Sequence, residues 1–213
     1  MSRTGFVEKA GRVLGPRAAE TRRRLLDATE ALLATRPLRE LRVIDVSRHV
    51  GTSPATFYQY FEDLEDAVVR LAERAAGEVP AIVDEIRGSL EGAEGLPRAR
   101  RIVEAFIAHW DAHRAVLRVR NLASEEGDVR FLEVRRRVHG PVIEALAEQV
   151  RAARASGRVA QEIHPHAAAA ALAAILERLA AYHAELRVFC VTREQLVETS
   201  ARILLRTLTG RGA

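Results

Sequence analysis

The sequence predicts an all-α chain: a small three-helix unit near the N-terminus, followed by a larger helical domain. Three observations carry this. Apolar residues recur at helical spacing from about residue 19 onward, and no run alternates with the two-residue period of a strand. Val43, Val46 and Val50 share one face of a short segment that stops at Gly51, where glycine's access to positive φ suits a helix end. A second short segment opens at Ser53-Pro54 and carries Phe57, Tyr58, Tyr60 and Phe61.

Taken in order, residues 1–17 carry Gly5, Gly11, Gly15 and Pro16 among scattered Arg and Lys, a composition expected of a mobile basic arm. The first firm helix is expected from about Ala19 to Thr35. Its apolar stripe is Leu25, Leu26, Ala28, Thr29, Leu32 and Leu33, and Pro37 ends it. In the segment after Gly51, Ser53 can cap through its hydroxyl, and Pro54 sits at the first helical position, where a missing N–H costs nothing. Phe57 and Phe61 lie four apart and point inward, which turns Ala55, Thr56, Tyr58, Gln59 and Tyr60 toward the rim or the outside. Asp63 then caps a helix through Ala67, Val68, Leu71 and Ala75. Further on, breaks near Gly88 to Pro97, Glu125 to Gly127, Ser156-Gly157, Val188 to Thr192 and Gly210 delimit helices around 98–114, 115–124, 128–156, 165–187 and 192–209. Gly140-Pro141 should kink the longest of them.

Composition bounds the function. With 213 residues, 48% of them hydrophobic, the chain can hold a small domain and a medium one. No apolar run approaches membrane-spanning length and the N-terminus lacks a signal-peptide core, so a cytoplasmic protein without membrane contact is expected. Cys190 is the single cysteine and is expected as a small packing residue. From Met1 to Phe61 there are eleven basic residues against six acidic ones, the electrostatic footprint of a phosphate-binding surface. An enzyme is not expected, since no phosphate-cradling glycine loop or nucleophile elbow is present, and no cofactor is implied. His109 and His113 share a helical face with Asp111 between them. The run is not His-Glu-x-x-His and no third ligand is evident, so no metal site is expected. His164 and His166, flanking Pro165, read as a helix-start loop.

The stretch Val43 to Phe61 resembles the helix-turn-helix of the TetR family of transcriptional regulators. The resemblance rests on an apolar first helix, the turn, and Thr56-Phe57-Tyr58-Gln59-Tyr60-Phe61, and extends over roughly residues 19–70. It implies a helix-turn-helix DNA-binding domain at 18–64 and an effector-binding and dimerisation domain at 65–213. Arg42, Thr52, Ser53, Pro54, Ala55, Thr56, Tyr58, Gln59 and Tyr60 are then the residues expected to meet a double-stranded operator. One departure stands out. The family commonly places lysine in a Phe-x-x-Lys arrangement after the recognition helix, and this chain has Phe61-Glu62-Asp63-Leu64. Arg42 also stands where the family often has a hydroxyl residue.

The second domain is similar in helix order to the branch containing the mycobacterial ethionamide-resistance repressor, which has a long apolar channel in each subunit. The supporting residues are Ala105-Phe106, Trp110, His113-Arg114-Ala115-Val116 and Leu176-Glu177-Arg178-Leu179. Phe106, Trp110, Asn121, Phe131, Val138, Leu176, Leu179, Tyr182 and His183 are the ligand-binding candidates, though converging apolar stripes such as these are more often core than pocket. The alanine-rich Ala167 to Ala174 run and the stripe Leu196, Val197, Ala201, Leu204 and Leu208 suggest a homodimer through the last two long helices. The expected function is a ligand-responsive regulator, a repressor released from an inverted repeat by a small apolar effector. An activator of the same fold, or a helical small-molecule carrier without DNA binding, are the alternatives.

Overall fold

The computed structural model describes residues 15–210. Nine α-helices and no β-strand occur among them: α1 (Pro16–Leu33), α2 (Val43–Val50), α3 (Pro54–Tyr60), α4 (Leu64–Ala76), α5 (Val79–Arg87), α6 (Gly95–Glu125), α7 (Val129–Ala155), α8 (Pro165–Tyr182) and α9 (Arg193–Thr209). The expected basic arm lies outside the described residues except for its last three, and α1 already begins at Pro16. The described chain forms two compact units. One comprises the residues up to Arg74 with Ala115–Val134, the other Ala75–Arg114 with Arg135 onward, so the divisions fall within α4, α6 and α7.

In the first unit, α1 packs on α2 and α2 on α3. Gly51 takes φ 76°, the left-handed geometry that lets α2 stop, and the Thr52 N–H closes the turn on the Ser47 carbonyl at 2.9 Å. Leu25, Leu26, Val46, Phe57, Phe61 and Leu71 are buried, as are Val116, Leu117 and Phe131. The rings of Phe57 and Phe61 meet at 5.2 Å between centroids, and the Arg22 guanidinium lies 5.4 Å over Phe61. Arg24 donates to the Val50 carbonyl at 2.8 Å, and Arg74 donates to Asp27 at 3.0 Å and to Glu30, tying α2 and α4 to α1.

In the second unit the apolar faces of α5, α6, α7, α8 and α9 are buried through Ile82, Ile86, Ile102, Ile107, Trp110, Leu146, Val150, Leu172, Leu176, Leu204 and Leu208. Polar clasps fix their ends. Gln149 donates to the Ile86 carbonyl at 2.9 Å, Arg100 to Glu198 at 2.6 Å and Arg114 to the Ala181 carbonyl at 2.8 Å. Gly210 ends α9 at φ 67°, where a Cβ would lie 1.9 Å from the Arg158 carbonyl oxygen, so both backbone and space require glycine.

Three local expectations change. α5 is a separate helix, admitted by Pro80 in its first turn, where proline removes no needed hydrogen bond. α7 continues across Gly140-Pro141 as a single 27-residue helix, long enough on both sides to absorb one lost hydrogen bond. A departure from helical backbone does occur in α6, at His113 (φ −123°, ψ 18°), beside the division expected between helices around 98–114 and 115–124. Cys190, expected to pack inside, is exposed and takes φ 58° after the 3-10 helix His183–Phe189, because that end needs a left-handed residue to offer the Leu186 and Arg187 carbonyls their N–H partners.

Phe61→Ala is expected to cost about 3–5 kcal/mol, the cavity and transfer penalty of a fully buried aromatic. Urea unfolding followed by circular dichroism measures it, with the α3 region losing hydrogen-exchange protection first.

Candidate functional site

α3 is seven residues long and depends on its ends. The Thr56 N–H donates to Ser53 Oγ at 3.3 Å, Pro54 occupies the first turn, and the two hydroxyls of Ser53 and Thr56 lie 3.1 Å apart. With Phe57 and Phe61 fully buried, helical periodicity fixes the rest of the surface. Ser53, Ala55, Tyr58 and Gln59 are exposed, and Thr52, Pro54, Thr56 and Tyr60 are half-buried at the rim. The Tyr58 ring stands edge-on to Phe57 at 5.8 Å, which orients its hydroxyl while leaving 53% of the residue accessible. Arg42 precedes α2 with an exposed side chain, and its N–H donates to the Asp45 carboxylate at 3.0 Å. All nine residues expected to meet DNA thus cluster on the turn and on α3, or immediately before α2.

The positive charge of this region is more committed than a count implies. Arg23 pairs with Glu20 at 2.7 Å and with Asp27 at 2.8 Å, Arg24 caps α2, and Arg36 lies 3.7 Å from Asp45. Leu64, where the family commonly has lysine, is buried at the start of α4. Beside it, Asp63 accepts the Asp66 N–H as an N-cap and also accepts from Arg130 at 3.3 Å. Arg130 in turn donates to Asp128 at 2.8 Å, and that bond chiefly raises the guanidinium's pKa and holds the Asp128 carboxyl below its ordinary range. Position 64 therefore serves the interior, and position 63 anchors α4 directly behind α3.

The ligand-binding candidates divide between the units. Asn121 and Phe131 belong to the first: Phe131 is fully buried and the Asn121 carbonyl oxygen accepts from Arg120 at 2.9 and 3.0 Å. Phe106, Trp110, Val138, Leu176, Leu179, Tyr182 and His183 belong to the second. Trp110 and Leu176 are buried, Phe106, Val138 and Leu179 half-buried, and Tyr182 exposed beneath the Arg178 guanidinium at 3.8 Å. His183 Nδ1 lies 3.0 Å from the Ala180 carbonyl oxygen and Nε2 3.5 Å from Asp111; the residue also edges an open pocket of about 450 Å³ with Arg187, Cys190 and Arg193. Sequence reasoning missed two pairings here. His139 reaches Glu177 at 3.3 Å, and Glu78 meets both His109 and His113. Burial raises the Glu78 carboxyl, yet hydrogen bonds to His113 and His109 outweigh it and leave its pKa below the ordinary value.

Comparison with known proteins fixes the family. Residues 25–68 match the family description "Bacterial regulatory proteins, tetR family", and residues 82–213 match "Tetracyclin repressor-like, C-terminal domain", which alone spans more than half of the chain. The chain belongs to the TetR family. It is a transcriptional regulator with an N-terminal DNA-binding domain and a helical ligand-binding domain. Solved structures of similar fold include a putative transcriptional regulator from Pseudomonas aeruginosa PAO1 (18% identity, 92% of each chain covered, TM-score 0.71). The fatty acid degradation regulator FadR of Bacillus halodurans covers 91% of this chain and 97% of its own at 20% identity and TM-score 0.64. FadR of Bacillus subtilis in complex with stearoyl-CoA covers 89% and 98% at 15% identity and TM-score 0.63. No curated protein matches. No helix among the described residues of this TetR-family chain is long and apolar enough to cross a membrane.

Because the folded-state pKa of Asp128 lies below its unfolded value of about 3.9, the Asp128–Arg130 bond contributes fully above that value and is lost as pH falls through the lowered one. Asp128→Asn is expected to lower stability at pH 7 and to flatten the acid limb of the stability profile below about pH 4. Urea melts of both proteins across pH 2–7 measure this; parallel profiles would be the contrary result.

Proposed function

We propose that this regulator is a cytoplasmic, homodimeric repressor that binds an inverted-repeat operator and is released by a small, largely apolar effector. The carrying observation is α3 itself, whose buried Phe57 and Phe61 leave Ala55, Tyr58 and Gln59 turned outward. In this reading the DNA-binding domain spans 18–64. Gln59 and Ala55 face base edges in the major groove, while Tyr58, Thr56, Thr52, Ser53 and Arg42 engage phosphates, with Pro54 and Tyr60 shaping the two ends of the surface.

Dimerisation through α8 and α9 is supported by what they leave uncovered. Ala167, Ala170, Ala171 and Ala174 are exposed at successive helical spacings, continued by Ile175, and Ile203 is exposed on α9. Small residues allow close helix approach, and a second copy would bury this stripe in a four-helix arrangement. The apolar effector is supported by Phe106, Trp110, Leu176 and Leu179 in the domain spanning 65–213, residues among those that carry the resemblance to the ethionamide-resistance branch and its apolar channel. The stearoyl-CoA bound by the Bacillus subtilis protein likewise carries a long apolar acyl chain. Effector binding releases DNA only through unequal affinity for the two conformations, and α4, whose residues belong to both units, is the element it would bias.

Footprinting on the DNA flanking the gene tests the repressor reading. A protected inverted repeat with half-sites about 34–36 Å apart, or a multiple of the helical turn, is expected, and only an asymmetric or single-stranded target would oppose it. On that operator, Tyr58→Phe is expected to weaken binding to all duplexes alike, whereas Gln59→Ala relaxes sequence preference at a cost of about 1–3 kcal/mol. Identical specificity profiles would contradict the division of roles.

Trp110 is the sole tryptophan and is buried, so its emission reports locally on the effector region. An apolar effector is expected to change that emission and lower operator affinity over one concentration range. A ligand that perturbs Trp110 without changing operator affinity would count against the sensing role of this region.

A further inference from the structure

His109 and His113 sit four residues apart on one face of α6, with ring centroids 5.1 Å apart. The helix leaves regular geometry at the second of them. Glu78, the residue before α5, supplies a carboxylate from 31 and 35 residues away in sequence, and its Oε2 lies 3.3 Å from His109 Nδ1 and 2.9 Å from His113 Nε2. All three ligating atoms fall within 4.8 Å of one another. Around a four-coordinate ion with bonds of about 2.0–2.1 Å, ligand atoms stand about 3.3 Å apart, so the observed spacings need only small side-chain rotations to close on a cation.

We propose that Glu78, His109 and His113 form a binding site for a first-row transition-metal dication, Zn²⁺ or its analogues Co²⁺ and Ni²⁺. Two imidazoles and one carboxylate form a donor set that suits these ions, whereas Mg²⁺ and Ca²⁺ want an all-oxygen shell. The imidazoles are largely sheltered, at 10% and 12% side-chain exposure, while the carboxylate is 56% exposed. Metal can thus arrive from solvent on the Glu78 side, and that side keeps a fourth position for water or an exogenous ligand. Nearby pairs make the contrast: His139 with Glu177, His166 with Glu144 and His183 with Asp111 each bring a histidine to a carboxylate, and none of them enters a cluster of three such ligands among the described residues. The bound ion would join the start of α5 to the middle of α6 within one unit, and the site stands or falls independently of the operator reading.

The full-length protein, prepared without a histidine tag and stripped with chelator, is titrated with Co²⁺ by visible absorption and with Zn²⁺ by calorimetry. One ion per chain is expected, with the absorption bands of a low-coordinate nitrogen/oxygen site displaced by Zn²⁺ and a rise in melting temperature on loading. His113→Ala and Glu78→Gln are each expected to weaken Zn²⁺ binding by at least the roughly 10–100-fold that loss of an outer partner of a ligand costs, while a His164→Ala/His166→Ala control binds as the parent does. Glu78→Gln keeps shape at an exposed position, so its result stands even where a histidine variant folds poorly. Absent saturable binding, binding untouched by Glu78→Gln, or binding lost in the His164/His166 control would overturn the site and leave a carboxylate–imidazole hydrogen-bond cluster.

Discussion

Burial of the Phe57 and Phe61 rings beneath α3 is the constraint on which the rest of the proposed DNA-facing surface depends. A seven-residue helix cannot hold itself in water, because nucleation costs more than so few hydrogen bonds return. The two rings, 5.2 Å apart and buried, fix α3 where it packs on α2, and helical periodicity then determines which residues face outward. Gly51 and Ser53 set where α3 begins, and Asp63 sets where the chain turns into α4. Function here is a by-product of one packed aromatic pair and three terminal residues.

The electrostatics of the same unit are divided between interior and surface. Arg22, Arg23, Arg24 and Arg74 stack on Phe61, pair with α1 carboxylates or cap α2, and this holds the helices in register. Such partly exposed pairs stabilise little individually, yet their geometry orients the elements that carry Arg42 and Tyr58. The chain has the buried Leu64 where the family commonly has lysine, and Asp63 is taken up by Arg130. On the proposed reading, nonspecific attraction to DNA rests on fewer cations than the sequence contains.

What was legible in the sequence was local. The stop at Gly51, the cap at Ser53, the proline at the first turn and the inward Phe57 and Phe61 all follow from spacing within about ten residues, and the structure reproduces them. What was not legible needs contacts across long stretches of chain. Glu78 carries no signal of its proximity to His109 and His113, because loop closure and not periodicity brings it there. The same holds for His139 beside Glu177. Apolar stripes tell which faces of α6, α7 and α8 are buried but not which unit each serves, and so do not separate Asn121 and Phe131 in one unit from Trp110 and Leu176 in the other. Cys190 was misjudged because its backbone role outranks its side chain.

The central claim is that the outer face of α3 meets duplex DNA. A photo-crosslinking residue placed at position 59 tests it directly, with position 188 in the second unit, also exposed, as the reference. The account requires efficient crosslinks from position 59 to bases of the footprinted operator and none from position 188. Crosslinking from 188 with none from 59, in a protein that still binds the operator, would contradict it.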